Sequence, residues 1–237
     1  MYAAASVMPE VPPKPELMRA LGRLVRGLSA LFWGLPAALV VCFHTARADS
    51  FKSFGILPPV LVTGLLYYGV WQMTAFQKQE RVWRRALDRA LWLSMINLGL
   101  SPFLFWWNKL PANTFFAIMV VLMIVAGLLF LGSLNAVLRR LGDMLPDEAL
   151  RLETRQFTAL NLNLIWATFL LCALYLGLAQ LRSPPLYLQA VLIVLDRGSF
   201  WFLVLLVLLP LAMTMALLWK TKEVILDNVF GTSPRQE

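Results

Sequence analysis

One histidine and two cysteines in 237 residues leave little room for metal or redox chemistry. Paired histidine ligation of haem and the two-histidine zinc helix both need a second imidazole. The sequence contains no Cys-x-x-Cys, no phosphate-cradling P-loop and no dinucleotide glycine fingerprint, so dithiol exchange and an intrinsic nucleotide-driven motor are not expected. Charge is scarce too, with 14% charged against 59% hydrophobic residues and a mean hydropathy of +0.69. Soluble domains carry about a quarter charged residues. The solvent this composition fits is lipid.

A helix needs ~20 mostly apolar residues to cross the hydrocarbon of a bilayer. Six stretches meet that requirement: Leu24 to Thr45, Phe54 to Phe76, Ala90 to Trp107, Thr114 to Val137, Phe157 to Leu178 and Phe200 to Trp219. Arg26, in the opening turn of the first, is their only charged residue. The runs are continuously apolar rather than alternating, which favours helices over a membrane barrel. The expected fold is therefore an all-α integral membrane protein, a bundle of about six transmembrane helices occupying residues 24–219. Residues 1–23 form a tail and a basic interfacial helix, and residues 220–237 form a C-terminal tail.

The net charge of +8 follows from topology. Sixteen of the 21 basic residues fall on one side of the expected membrane. They are Lys14, Arg19, Arg23 and Arg26 before the first span, Lys78, Arg81, Arg84, Arg85 and Arg89 between the second and third, Arg139, Arg140, Arg151 and Arg155 between the fourth and fifth, and Lys220, Lys222 and Arg235 after the sixth. Arg47, Lys52, Lys109, Arg182 and Arg197 occupy the other side. Basic residues near span ends stay in the cytoplasm, so both termini are expected there. The expected partners are the bilayer and its anionic inner-leaflet lipids, with Arg19, Arg23, Arg26, Arg81, Arg84, Arg85, Arg139 and Arg140 as candidate contacts. No basic patch with interleaved aromatics exists to suggest nucleic acid.

Several local features refine this plan. Met1 to Pro15 holds four prolines and reads as a tail, whereas Leu17, Leu21, Leu24, Val25 and Leu28 recur at helical spacing opposite Arg19, Arg23 and Arg26. Ala46-Arg47-Ala48 looks like a secretory cleavage site, but the long leader and the central arginine favour a retained anchor; cleavage after Ala48 leaves five spans. Lys78 to Arg89 is expected to continue the adjoining helices, with Trp83, Leu87 and Leu91 at the membrane surface. Pro146-Asp147-Glu148 reads as a helix start, with Asp147 able to reach Arg151. Pro184-Pro185 breaks the chain, and the ten apolar residues Leu186 to Leu195 are too few to cross, so they form an outer interfacial or re-entrant half-helix. Trp71, Trp92 and Trp219 mark inner boundaries and Trp106, Trp107 and Trp201 outer ones, while Trp33 and Trp166 are expected to pack against neighbouring helices. Arg84-Arg85 and Arg139-Arg140 each precede a span with an asparagine near its start, but at different spacings, so they read as coincidence rather than duplication.

The spans offer almost no reactive groups. No catalytic, cofactor-binding or metal-binding residue is assigned: His44 sits at the end of the first span without a serine or cysteine motif beside it, and Cys42 and Cys172 read as small hydrophobes. What remains is an uncharged polar set, Asn97, Asn135, Asn161 and Asn163, all within ~10 Å of the inner boundary at 1.5 Å rise per residue. They are candidates for one intramembrane layer, read first as amide glue between helices and second as a polar vestibule. Pro36, Pro102 and Pro210 interrupt the first, third and sixth spans and are read as kinks. The expected function is non-enzymatic: a scaffold or membrane subunit of a larger complex in the bacterial inner membrane, with a protein partner at the cytoplasmic face. The alternative is a permease or channel for a neutral or lipidic solute.

Overall fold

A computed structural model describes residues 15–47, 54–77, 80–144, 148–179 and 207–227, which are helical with no strand among them. In chain order the helices are α1 (Pro15–Arg47), α2 (Leu57–Met73), α3 (Arg81–Leu100), α4 (Pro102–Lys109), α5 (Thr114–Met144) and α6 (Glu148–Ala179), followed by α7 (residues 207–227). The half-helix expected at 186–195, the Pro184-Pro185 break, Trp201, the proline-rich tail, the Asp147 pairing and the Cys172 side chain lie outside the described residues. Among the described residues, three stretches are long and apolar enough to cross a membrane: Met18–Arg47, Arg81–Lys109 and Thr114–Met144. The chain is a membrane protein.

The described residues of each expected span carry a helix, which for the sixth begins at residue 207, and the departures have local causes. The basic leader and the first apolar run form one unbroken helix, α1, with Pro36 inside it. α2 stops at Met73, three residues short of expectation. The hydroxyl of Thr74 bonds the carbonyl of Trp71 at 2.7 Å, Gln77 takes a positive φ of 45°, and α3 starts afresh at Arg81. The expected continuation thus holds for α3 and not for α2. At Ser101-Pro102 the missing proline N–H frees the carbonyl of Leu98, and the Ser101 hydroxyl takes it at 2.9 Å. The chain then continues as α4.

Antiparallel packing gives the bundle two unlike ends. α1 crosses α2 at Gly27 and Gly69, so closely that a Cβ added to Gly27 would lie 2.6 Å from the Gly69 carbonyl oxygen. Only glycine permits that approach. Leu24, Leu28, Leu31 and Leu35 of α1 and Leu66, Val70 and Met73 of α2 are buried around it. Arg140 near the end of α5 binds Glu80 just before α3, with Nε to Oε1 at 2.8 Å, and Gly142 of α5 abuts Thr154 of α6. These contacts gather the start of α1, the end of α2, the start of α3, the end of α5 and the start of α6 at one end, which carries most of the arginines among the described residues. At the other end Asn108 of α4 donates to the carbonyl of Thr45 in α1 at 3.1 Å.

Three tryptophans depart from expectation. Trp83 is 1% exposed, not at a membrane surface. Its indole Nε1 donates to the Phe76 carbonyl at 3.0 Å and its ring meets Phe76 edge-on, so it plugs the turn between α2 and α3 instead; Leu87, one turn on, is buried beside it. Trp33 and Trp166 are 68% and 64% exposed, facing outward rather than into neighbours. They belong to an apolar perimeter with Leu61 and Leu65 of α2, Ile118, Leu122 and Leu129 of α5, and Leu160 and Leu170 of α6. Exposed apolar side chains in this number suit contact with lipid or with another apolar surface rather than with water.

Candidate functional site

α6 carries the polar interior. Thr154, Thr158, Asn161, Ile165 and Thr168 are buried, and their spacing of four, three, four and three residues puts them on one face. Leu152, Phe157, Leu160, Leu162, Trp166 and Leu170 are exposed around it. The helix thus hides hydroxyls and an amide and presents hydrocarbon, the reverse of a helix on a soluble domain.

Two of the four expected asparagines converge there. Asn135 of α5 and Asn161 of α6 both donate from Nδ2 to the hydroxyl oxygen of Thr214 in α7, at 2.9 Å each. Asn135 also donates to the Leu131 carbonyl at 2.8 Å, and Asn161 to the Pro210 carbonyl at 3.1 Å. The Thr214 hydroxyl in turn donates to the Pro210 carbonyl at 2.7 Å. One side chain therefore joins three helices. Asn135 and Asn161 are 1% and 0% exposed. The amide oxygens of both, and the hydroxyls of Thr158 and Thr221 on the same seam, have no hydrogen-bond partner among the described residues.

The other two asparagines lie elsewhere. Asn97 bonds the Leu93 carbonyl of its own helix at 2.9 Å, and its amide oxygen faces Gly127 of α5. Asn163 is exposed on the outer surface of α6. The four residues form a node of two rather than a layer. Thr214, its hub, was not among the sequence candidates, although the threonine spacing along α6 and the Thr214 to Thr221 repeat of seven could have marked both faces.

The eight candidate arginines also divide. Arg140 is held by Glu80, with Asp143 at 4.0 Å. Arg81, Arg84, Arg85 and Arg139 are exposed at the basic end. Arg23 and Arg26 line a cleft of about 460 Å³ with Trp71, Gln72, Thr74 and Ala75, and a second of about 470 Å³ brings in Arg19 and Gly22. No group of three or more metal-ligating side chains occurs among the described residues. His44 is exposed near the opposite end, beside the ring of Phe43. No protein family, curated protein or solved structure matches this chain.

Proposed function

We propose that this chain is a six-span protein of the bacterial inner (plasma) membrane, with both termini cytoplasmic, that carries out no chemistry itself and serves as a scaffold or membrane subunit of a larger complex. The spans are α1, α2, α3 with α4, α5, α6 and α7. The 17 residues of α2 extend about 26 Å and are apolar both where they pack and where they face out. The inverted face of α6 suits lipid contact. The gathering of arginines at one end supports a cytoplasmic assignment for that end, where anionic lipid and a protein partner would meet it.

The observation that carries the non-catalytic reading is the fate of the buried amides. Asn135 and Asn161 spend their donors on Thr214 and on backbone carbonyls, so they hold helices together. Purification of the tagged chain from its native membrane in mild detergent tests this. A stoichiometric partner bearing a nucleotide-binding or catalytic domain supports the proposal; solute movement or turnover by the isolated chain in liposomes overturns it.

A second reading has its own support. Four buried polar atoms on the seam lack partners among the described residues, an arrangement that suits a hydrated path for a neutral solute. Asn161→Leu would then abolish transport by a chain that still folds.

A further inference from the structure

We propose that the cleft between the start of α1 and the end of α2 is a site for a phosphate-bearing lipid, its headgroup held by Arg23 and Arg26. The proposal rests on the membrane assignment above and narrows it from eight arginines to two. Arg19, Arg23 and Arg26 are exposed, and none forms an ion pair or hydrogen bond with another described residue. Arg140, by contrast, is already neutralised by Glu80. Unpaired guanidiniums beside a cleft of about 460 Å³ are an anion site, and their planar fork suits phosphate oxygens.

Two further observations select a lipid over a free anion. Leu57, Leu61, Leu65, Tyr68 and Trp71 are all exposed on α2, at spacings of four, four, three and three residues, so they form one apolar stripe. That stripe ends at the cleft, which Trp71 lines. Hydrocarbon can lie along α2 while the phosphate sits between the arginines. Trp71 and Tyr68, with ring centroids 6.3 Å apart, stand where aromatic side chains meet headgroups. The Gln72 side chain donates to the Tyr68 hydroxyl at 2.6 Å and keeps a second amide hydrogen for a headgroup oxygen.

The test titrates the full-length chain in neutral detergent with phosphatidylglycerol, with phosphatidylcholine and with inorganic phosphate, reading bound lipid by native mass spectrometry. Phosphatidylglycerol is expected to bind best, and Arg23→Gln with Arg26→Gln to weaken it about 30-fold, at the usual worth of two basic residues at an anionic surface. Arg84→Gln with Arg85→Gln removes equal charge from the same end and should change affinity less than threefold. Equal losses in the two double variants would reduce the effect to bulk charge and overturn the site. Competition by inorganic phosphate as strong as that by the lipid would assign the cleft to a free anion and overturn the lipid. Detergent has no sidedness, so these results stand whether or not the assigned orientation or the scaffold role does.

Discussion

Where α1 meets α2 the contact is dry: leucines, a valine and a methionine close around Gly27 and Gly69. Where α6 meets α5 and α7 the contact is polar, with threonines along one face of α6 and two amides meeting on Thr214. Both pairs lie in the same surroundings, so the contrast separates two ways of joining helices when lipid on the outside is as apolar as leucine on the inside. The first relies on close approach and dispersion, which demand small residues. The second relies on hydrogen bonds that have no better alternative in hydrocarbon. The first tolerates rotation poorly but has no donors to strand; the second fixes particular atoms against particular atoms.

The largest expected effect breaks the dry side. Gly27→Leu pushes a side chain into the Gly69 carbonyl and should cost about 3 kcal/mol or more, seen as a lowered midpoint of thermal unfolding in detergent. Next comes the polar side: Thr214→Val deletes the shared acceptor of two buried amides and should cost ~1 to 3 kcal/mol. Adding Asn135→Leu and Asn161→Leu should then cost less than in the wild-type background, because the stranded donors are gone. Additive costs would mean that the three side chains do not form one unit.

Smaller changes sharpen the contrast. Trp83→Phe keeps the ring against Phe76 but loses the indole donor, for about 1 kcal/mol. Glu80→Gln, at a pair with side chains 26% and 37% exposed, should cost under ~1 kcal/mol and matter less as salt rises. Asn163→Leu should lie within ~0.5 kcal/mol of wild type, in clear separation from Asn161→Leu.

That last pair shows how far the sequence could be read. Residues two apart on a helix do not share a face, so Asn161 and Asn163 could never have belonged to one interior layer; ranking the four asparagines by depth alone hid this. The helices themselves were legible because long uncharged runs leave few alternatives. Their ends were less so, since the stop after Met73 depends on Thr74 and on the unusual backbone of Gln77, not on hydropathy. Trp83 was misplaced because basic neighbours on both sides suggested a surface, while its burial depends on Phe76 seven residues earlier. The Arg140 to Glu80 pair spans sixty residues and leaves no local trace. Trp33 and Trp166 point outward because an apolar side chain gains nothing by turning inward when its surroundings are hydrocarbon.

The hub at Thr214 also sets a timetable. Its hydroxyl lies on α7, the last described helix in the chain, while the two amides that depend on it lie on α5 and α6, which leave the ribosome earlier. Until α7 arrives, the Asn161 amide lacks both of the acceptors it has in the finished bundle, Thr214 and the Pro210 carbonyl, and Asn135 lacks one of its two. The half-built protein must borrow acceptors from water, from headgroups or from the machinery that inserts it. A slip of α7 by one turn, about 5.4 Å, would leave those borrowed bonds unreplaced, so the arrival of α7 fixes a single register against α5 and α6.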